Sequence, residues 1–200
     1  YEQALLSHDQ NSTLLDTQGR KLELDRNQPV WQWDGYENAD TKGTLVYDPQ
    51  ELSSNHQGKT KKERLQEGKA FRILFIEDLP DLPAEGQGKD VQGRHQIEAN
   101  QQPKEYLRRT QEESQYQGET GLTPEVWLTY AITHLEETNQ QIDNYQGQGK
   151  ACYLTGAYFA SGFVPIAYWL RDDSRASLGW YGHGPVNQYA GGGFRSSVEI

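Results

Sequence analysis

The sequence has a single cysteine and no long apolar run, and each of these absences removes a class of protein. A single cysteine, Cys152, cannot form a disulfide within the chain. The five histidines are scattered, and one cysteine cannot supply the clustered ligands that structural zinc requires. No apolar stretch approaches the roughly 20 residues that a membrane-spanning helix needs. We therefore expect no metal site and no direct membrane insertion.

The sequence also has few basic residues, which disfavours partners with a negatively charged surface. The formal net charge is −10 and the isoelectric point is about 5.0. The densest basic cluster is the short run at 59–62, whereas a nucleic-acid-binding protein usually presents a basic stripe or face. We predict that the chain binds no nucleic acid, and its negative charge also disfavours an acidic membrane surface.

Composition nevertheless favours an ordered domain. The chain has 200 residues, of which 34% are hydrophobic and 24% charged, enough for one domain with a real core. Its mean hydropathy of −0.93 is low, but the surplus is largely Gln, Asn, Ser and Gly, which indicates long surface loops. Five Trp and twelve Tyr are typical of folded chains. We predict a single domain over residues 1–200, in which about 1–60 form a decorating extension.

Local patterns predict an α+β fold with short mixed sheets, two main helices and long loops. Pro103 suits the first turn of one helix. A second helix begins at Thr123-Pro124-Glu125 and is expected to reach Gly147, with Trp127, Ala131, Leu135 and Ile142 on one face. The apolar run 70–77 is predicted to be a central strand buried on both faces. Further extended segments are expected at 19–25, 31–33, 44–47, 151–159, 164–170 and 194–200, and loops at 79–102 and 171–193.

No catalytic constellation is present. The runs Gly86-Gln87-Gly88-Lys89 and 147–150 lack the spacing and the hydroxyl of a phosphate-binding loop. Ser161-Gly162 lacks the Gly-x-Ser-x-Gly elbow of a hydrolase. Cys152 lies within an apolar extended segment and is interpreted as a small core residue. We expect no catalytic residue, no cofactor and no enzymatic activity.

The last forty residues are the candidate binding region. Aromatic residues there alternate with Gly, Ser and Asn, the composition of a good binding surface, because Tyr and Trp give contact area at low entropic cost. A second interpretation places Trp169 and Trp180 in the core, where they would hold a loop-rich fold. The candidate ligand-binding residues are Tyr168, Trp169, Arg171, Asp173, Ser174, Ser177, Trp180, Tyr181, His183, Asn187 and Tyr189.

Two short segments carry a resemblance to a known family. Gly121-Leu122-Thr123-Pro124-Glu125-Val126-Trp127 resembles a helix start of C-type-lectin-like domains of the formylglycine-generating-enzyme type, and Gly193-Phe194-Arg195-Ser196-Ser197-Val198 resembles their closing strand. Over about residues 121–200 the chain is similar to the variable proteins of diversity-generating retroelements. The resemblance implies a C-type-lectin-like fold and a hypervariable ligand-binding region at about 165–193.

The resemblance also has limits that shape the expected function. Neither Glu-Pro-Asn nor Trp-Asn-Asp is present, so calcium-dependent sugar binding is not expected, and the paired cysteines of the formylglycine-generating enzyme are missing. The resemblance implies a protein or another macromolecular surface as ligand. Two alternatives stay open: an enzyme of formylglycine-generating-enzyme-like fold with unknown chemistry, and a phage or cell-surface adhesion module. Cytoplasmic and cell- or virion-surface locations are both compatible with the sequence, which sets no oligomeric state.

Overall fold

The chain folds as a mixed α+β structure with several short sheets and few helices, which confirms the predicted class. A computed structural model describes residues 1–33, 36, 39, 42–67, 73–147, 149–179 and 184–200. The helices are α1 (Glu2–Gln10), α2 (Lys61–Gln66), α3 (Pro103–Glu112) and α4 (Pro124–Thr138), with a 3₁₀ turn at Ser114–Tyr116. None of the helices among these residues has the length and apolar character needed to cross a membrane.

The strands are short and distributed over four sheets. They are β1 (Trp31–Trp33), β2 (Leu45–Tyr47), β3 (Leu74–Ile76), β4 (Asp90–Val91), β5 (Arg94–His95), β6 (Glu119–Gly121), β7 (Asn144–Tyr145), β8 (Ala151–Tyr153), β9 (Ala157–Phe159), β10 (Ile166–Leu170), β11 (Arg175–Gly179), β12 (Gly192–Phe194) and β13 (Ser196–Glu199). The largest sheet has six strands in the order β1-β11-β10-β8-β12, with β7 also paired to β10. A three-stranded sheet has the order β3-β13-β6, and β2–β9 and β4–β5 form pairs.

Helix α4 covers one face of the large sheet, and its first turn follows from the sequence. The Thr123 side chain accepts a hydrogen bond from the Val126 N–H, and Pro124 occupies the first turn. The helix ends earlier than predicted, at Thr138 and not at Gly147, because Asn139 adopts the left-handed conformation (φ 63°) that terminates helices. Ile142 is still buried, but from the segment after the helix.

The prediction of a central strand at 70–77 is wrong for its described part. Strand β3 covers Leu74–Ile76 and lies at the edge of the three-stranded sheet, where β13 is its one partner among the described residues. Phe75 is 60% exposed and Ile73 63% exposed. An apolar run of this kind predicts a buried strand only when sheets or helices cover both faces, and here one face is open. Residues 70–72 lie outside the described residues.

Three other predicted segments are divided or absent. The stretch 151–159 is two strands, β8 and β9, which belong to different sheets. The predicted loop 171–193 contains strand β11, an interior strand of the large sheet, and the predicted closing strand 194–200 is split at Arg195 between β12 and β13. Residues 19–25 form no strand, since the Asp16 side chain accepts the Gln18 and Arg20 N–H groups and closes a turn.

Candidate functional site

The two faces of the β10–β11 hairpin differ, since one is fully buried and the other is buried at Ile166 and Ser177 but partly exposed at Tyr168. Tyr168 lies opposite Ser177 and Leu170 opposite Arg175, whereas Trp169 lies opposite Ala176 on the other face. Successive side chains of a strand point to opposite faces, so the alternation is fixed once the inner face is buried. Trp169 and Ala176 are fully buried and pack in a cluster with Leu5, Leu14, Leu24, Val30 and Leu135. Burial of the inner face therefore fixes the backbone that carries the outer face of the hairpin.

Three tyrosines meet on the outer side, and we call Tyr145, Tyr168 and Tyr189 the tyrosine face. The Tyr145 ring packs edge-on against Tyr168, with centroids 5.3 Å apart, and lies 6.2 Å from the Tyr189 ring. The Tyr145 and Tyr189 hydroxyls are hydrogen-bonded to each other. All three side chains are half-buried. Edge-on packing of this type adds about 0.5–1.5 kcal/mol beyond area burial, so the cluster has a defined shape.

The packing of the tyrosine face raises the pKa of Tyr189. Burial and then the hydrogen bond with Tyr145 raise the pKa of the Tyr189 phenol to about 12. Because the neutral form is favoured, Tyr189 presents a hydroxyl and not a phenolate through the physiological pH range. A neutral phenol can both donate and accept a hydrogen bond, which suits recognition of polar groups on a partner.

Charged side chains of both signs border the tyrosine face. Arg171 is exposed in the turn after β10, and the neighbouring Arg175 pairs with Asp173 at 2.7 Å. On the other side, the Lys150 ammonium donates to the carbonyl of Ala190 at 2.9 Å. Cationic side chains therefore flank the aromatic rings in a chain whose overall charge is negative.

The segment 184–191 that carries Tyr189 is anchored by backbone contacts. The Lys104 N–H donates to the Pro185 carbonyl at 3.1 Å, and the Gln188 side chain donates to the Asn100 carbonyl at 2.7 Å. Gly191 leaves room for the aromatic rings, because a Cβ there would lie 2.6 Å from the Tyr189 ring. The segment has few strand contacts of its own, so these anchors position it.

A buried ion pair between Arg195 and Asp143 is connected to strands that carry the tyrosine face. The Arg195 guanidinium binds the Asp143 carboxylate at 2.6 Å, and Trp127 Nε1 donates to the other Asp143 oxygen at 2.7 Å. The Asp143 carbonyl also accepts the Trp169 N–H at 2.9 Å, and Tyr145 follows two residues later. Asp143 thus joins the buried pair to both β7 and β10, the two strands that hold the tyrosine face.

The structure brings some of the predicted site residues together and removes others. Tyr168 and Tyr189 meet in the tyrosine face. Trp169 is fully buried in the inner cluster, and Ser177 is 4% exposed although it lies opposite Tyr168, so both are corrected to scaffold positions. Arg171, Asp173 and Ser174 lie in the adjoining turn, and Asn187 is exposed in the segment 184–191. Trp180, Tyr181 and His183 fall outside the described residues.

Sequence reasoning missed Tyr145 and Lys150. Both follow the position where α4 ends, but the helix was expected to continue to Gly147, which would have placed Tyr145 on its surface. The signal that could have found Tyr145 is the polar break Asn139-Gln140-Gln141, since Asn is a frequent helix terminator in the left-handed conformation.

Metal-binding groups and relatives add no further assignment. Within the described part of the chain, no three His, Cys, Asp or Glu side chains are grouped so that they could hold a metal ion. Cys152 is buried, and burial raises the pKa of its thiol, so it lacks the thiolate character of a nucleophile.

Comparison of the chain with protein-family models, with curated proteins and with solved structures gives no match.

Proposed function

We propose that this chain is a ligand-binding protein of C-type-lectin-like fold, in which the tyrosine face and the adjoining turn recognise a protein or another macromolecular surface. In this proposal the codons of about residues 165–193 are diversified by a retroelement. The observation that carries it is the two-faced hairpin, where one buried face fixes the backbone and the other face is partly exposed at Tyr168, Leu170 and Arg175. A surface of this kind can alter its contacts without altering its fold.

The position of the Gly-Phe-Arg segment supports the lectin-like fold. A Cβ on Gly193 would lie 2.9 Å from Leu82, and the Phe194 ring stacks on Tyr106 with centroids 5.1 Å apart. Arg195 then enters the buried pair with Asp143. Each of the three residues meets a separate packing requirement, which gives a physical reason for a fixed motif beside a changing surface.

The chemistry of the tyrosine face favours recognition over catalysis. Tyrosine side chains combine large contact area with a polar end and lose little conformational entropy on binding. Arg171 and Lys150 add charged hydrogen-bond donors at the border. Aromatic and Arg side chains are also the residue types in which interface binding energy is concentrated. The tyrosine face would therefore supply the anchors and the charged rim the selectivity.

The proposal is tested by comparing two display libraries. One randomises the outer positions Tyr168, Arg171, Asp173 and Tyr189, and the other randomises the inner positions Trp169, Ala176 and Leu178. Protease resistance reports the folded fraction, and selection against a panel of purified proteins reports binding. We expect most members of the outer library to stay folded and to yield specific binders, while most members of the inner library unfold. If most members of both libraries unfold, the outer positions cannot be replaced and the proposal is wrong.

A further inference from the structure

A concave surface that includes no residue of the tyrosine face lies between strand β3 and helices α2 and α4. Its volume is about 870 Å³, within the range of about 300–1,000 Å³ that is typical of ligand sites. Its lining mixes charged and threonine side chains with apolar and aromatic ones, among which are Leu65, Leu74, Ile76, Val126 and Tyr130. We call this surface the β3 groove.

One side of the β3 groove is an open sheet edge. The Ile200 N–H donates to the carbonyl of Ile73, the residue before β3, so Phe75, two residues later, is the β3 residue whose backbone groups face β13. Because hydrogen bonding alternates along an antiparallel pair, the N–H and C=O groups of Leu74 and Ile76 point away from β13. Among the described residues, no strand pairs with this edge. Two residues therefore offer backbone donors and acceptors to an added strand.

Exposed apolar side chains accompany this edge. Leu65, on the wall formed by α2, is 55% exposed, and Phe75 is 60% exposed. A long or apolar open edge is a liability that proteins usually cover or protect with charge. An extended peptide added to β3 would meet Leu74, Ile76 and Val126 on one face and Phe75 on the other.

The charged side chains of the groove indicate the charge of the peptide that it would bind. Lys61 and Arg64 are already paired, with Glu125 at 3.2 Å and with Asp48 at 3.0 Å. Glu137 also lines the groove and forms no ion pair within the described part of the chain. Of the charged groups in and beside the groove, Glu137 is the one left without an opposite charge among the described residues, and it favours a basic residue of a partner at that point.

We infer that the β3 groove binds an extended peptide segment of a partner protein, one with apolar residues at every second position and a lysine or arginine near Glu137. The segment joins the three-stranded sheet as a fourth strand on the free edge of β3. Main-chain hydrogen bonds supply affinity and the alternating side chains supply selectivity, as in other cases of strand addition. This inference is independent of the tyrosine face.

The test uses fluorescence anisotropy with labelled twelve-residue peptides that alternate valine and threonine and carry a lysine at each end. Two analogues carry N-methyl groups, one on the valine amides and the other on the threonine amides. We expect saturable binding with a Kd below about 1 mM. One methylated analogue should lose at least about tenfold in affinity while the other stays within about threefold, because only one edge of an added strand faces β3.

Charge reversal supplies the matched protein variants. Glu137→Lys should weaken binding of the lysine peptide by about three- to tenfold and strengthen binding of the same peptide with terminal glutamates. Glu136→Lys is the control, because Glu136 is exposed on the same helix but does not line the groove. Three results would overturn the inference: no saturable binding of the parent peptide, equal loss in both methylated analogues, or a dimer of the protein itself that Phe75→Lys dissociates.

Discussion

Arg195 and Asp143 form a fully buried ion pair, with 2.6 Å between the guanidinium nitrogen and the carboxylate oxygen and side-chain exposures of 2% and 0%. Burial opposes the charge of both groups and raises the pKa of the Asp143 carboxyl, but Asp143 together with Tyr130 and Cys152 outweighs it at Arg195 and raises the pKa of the guanidinium. Arg195 also donates to the Leu79 carbonyl at 2.8 Å and lies over the Tyr130 ring. The pair links the segment after α4 to the last strands of the chain.

Arg195→Met should be strongly destabilising. Removing one partner leaves the Asp143 carboxylate buried without its counter-ion, which typically costs about 3–5 kcal/mol. Urea unfolding followed by circular dichroism measures the change. Arg108→Met is the matched control, because Arg108 pairs with Glu105 on the surface of α3, where such pairs contribute about 0–1 kcal/mol. Equal effects of the two substitutions would contradict the role given to the buried pair.

Gly191→Ala should disturb the tyrosine face. A Cβ at this position would lie 2.6 Å from the Tyr189 ring and 2.9 Å from the Tyr145 ring, so the rings must shift. We expect a loss of about 1–3 kcal/mol in unfolding free energy, the usual cost of overpacking. Gly184→Ala is the control, since its Cβ would lie 3.7 Å from Asn187, an ordinary contact. Two-dimensional NMR of labelled tyrosine would show altered Tyr145 and Tyr189 signals in Gly191→Ala alone.

Glu98 should contribute to the pH dependence of stability. Hydrogen bonds from the Gly86 and Gly88 N–H groups lower the pKa of the Glu98 carboxyl in the folded state. A lowered carboxyl pKa gives stability that is present above the unfolded value and lost as pH falls through the folded one. Glu98→Gln should therefore show a flatter decline of unfolding free energy from pH 5 toward more acid conditions. An unchanged slope, matching that of the control Glu136→Gln, would contradict this contribution.

The sequence predicts the elements whose signals are local. Thr123-Pro124 fixes the start of α4 through a side-chain cap, and Thr60 with Glu63 forms a capping box at the start of α2. These signals need no partner elsewhere in the chain. The predicted mixture of helices and short sheets follows from the same level of information.

What the sequence does not predict depends on partners that are distant along the chain. Trp169 and Tyr168 are adjacent aromatic residues, and only the sheet decides that one is buried and the other lies in the tyrosine face. The apolar run at β3 appeared central because periodicity cannot show that one face stays open. Tyr145 joined the site through its pairing with β10, a contact that no local pattern encodes.

The most direct test of the proposed binding surface is to sequence the coding region for residues 60–200 in many copies from one population and to compare residues 165–193 with the rest. The account predicts that substitutions alternate along β10 and β11 and continue through the loop residues. They should concentrate at adenine positions of codons for outer residues such as Tyr168, Arg171 and Tyr189, while Trp169, Ala176, Leu178 and Arg195 stay constant. Substitutions spread evenly over inner and outer positions, at the rate found for residues 60–145, would contradict it.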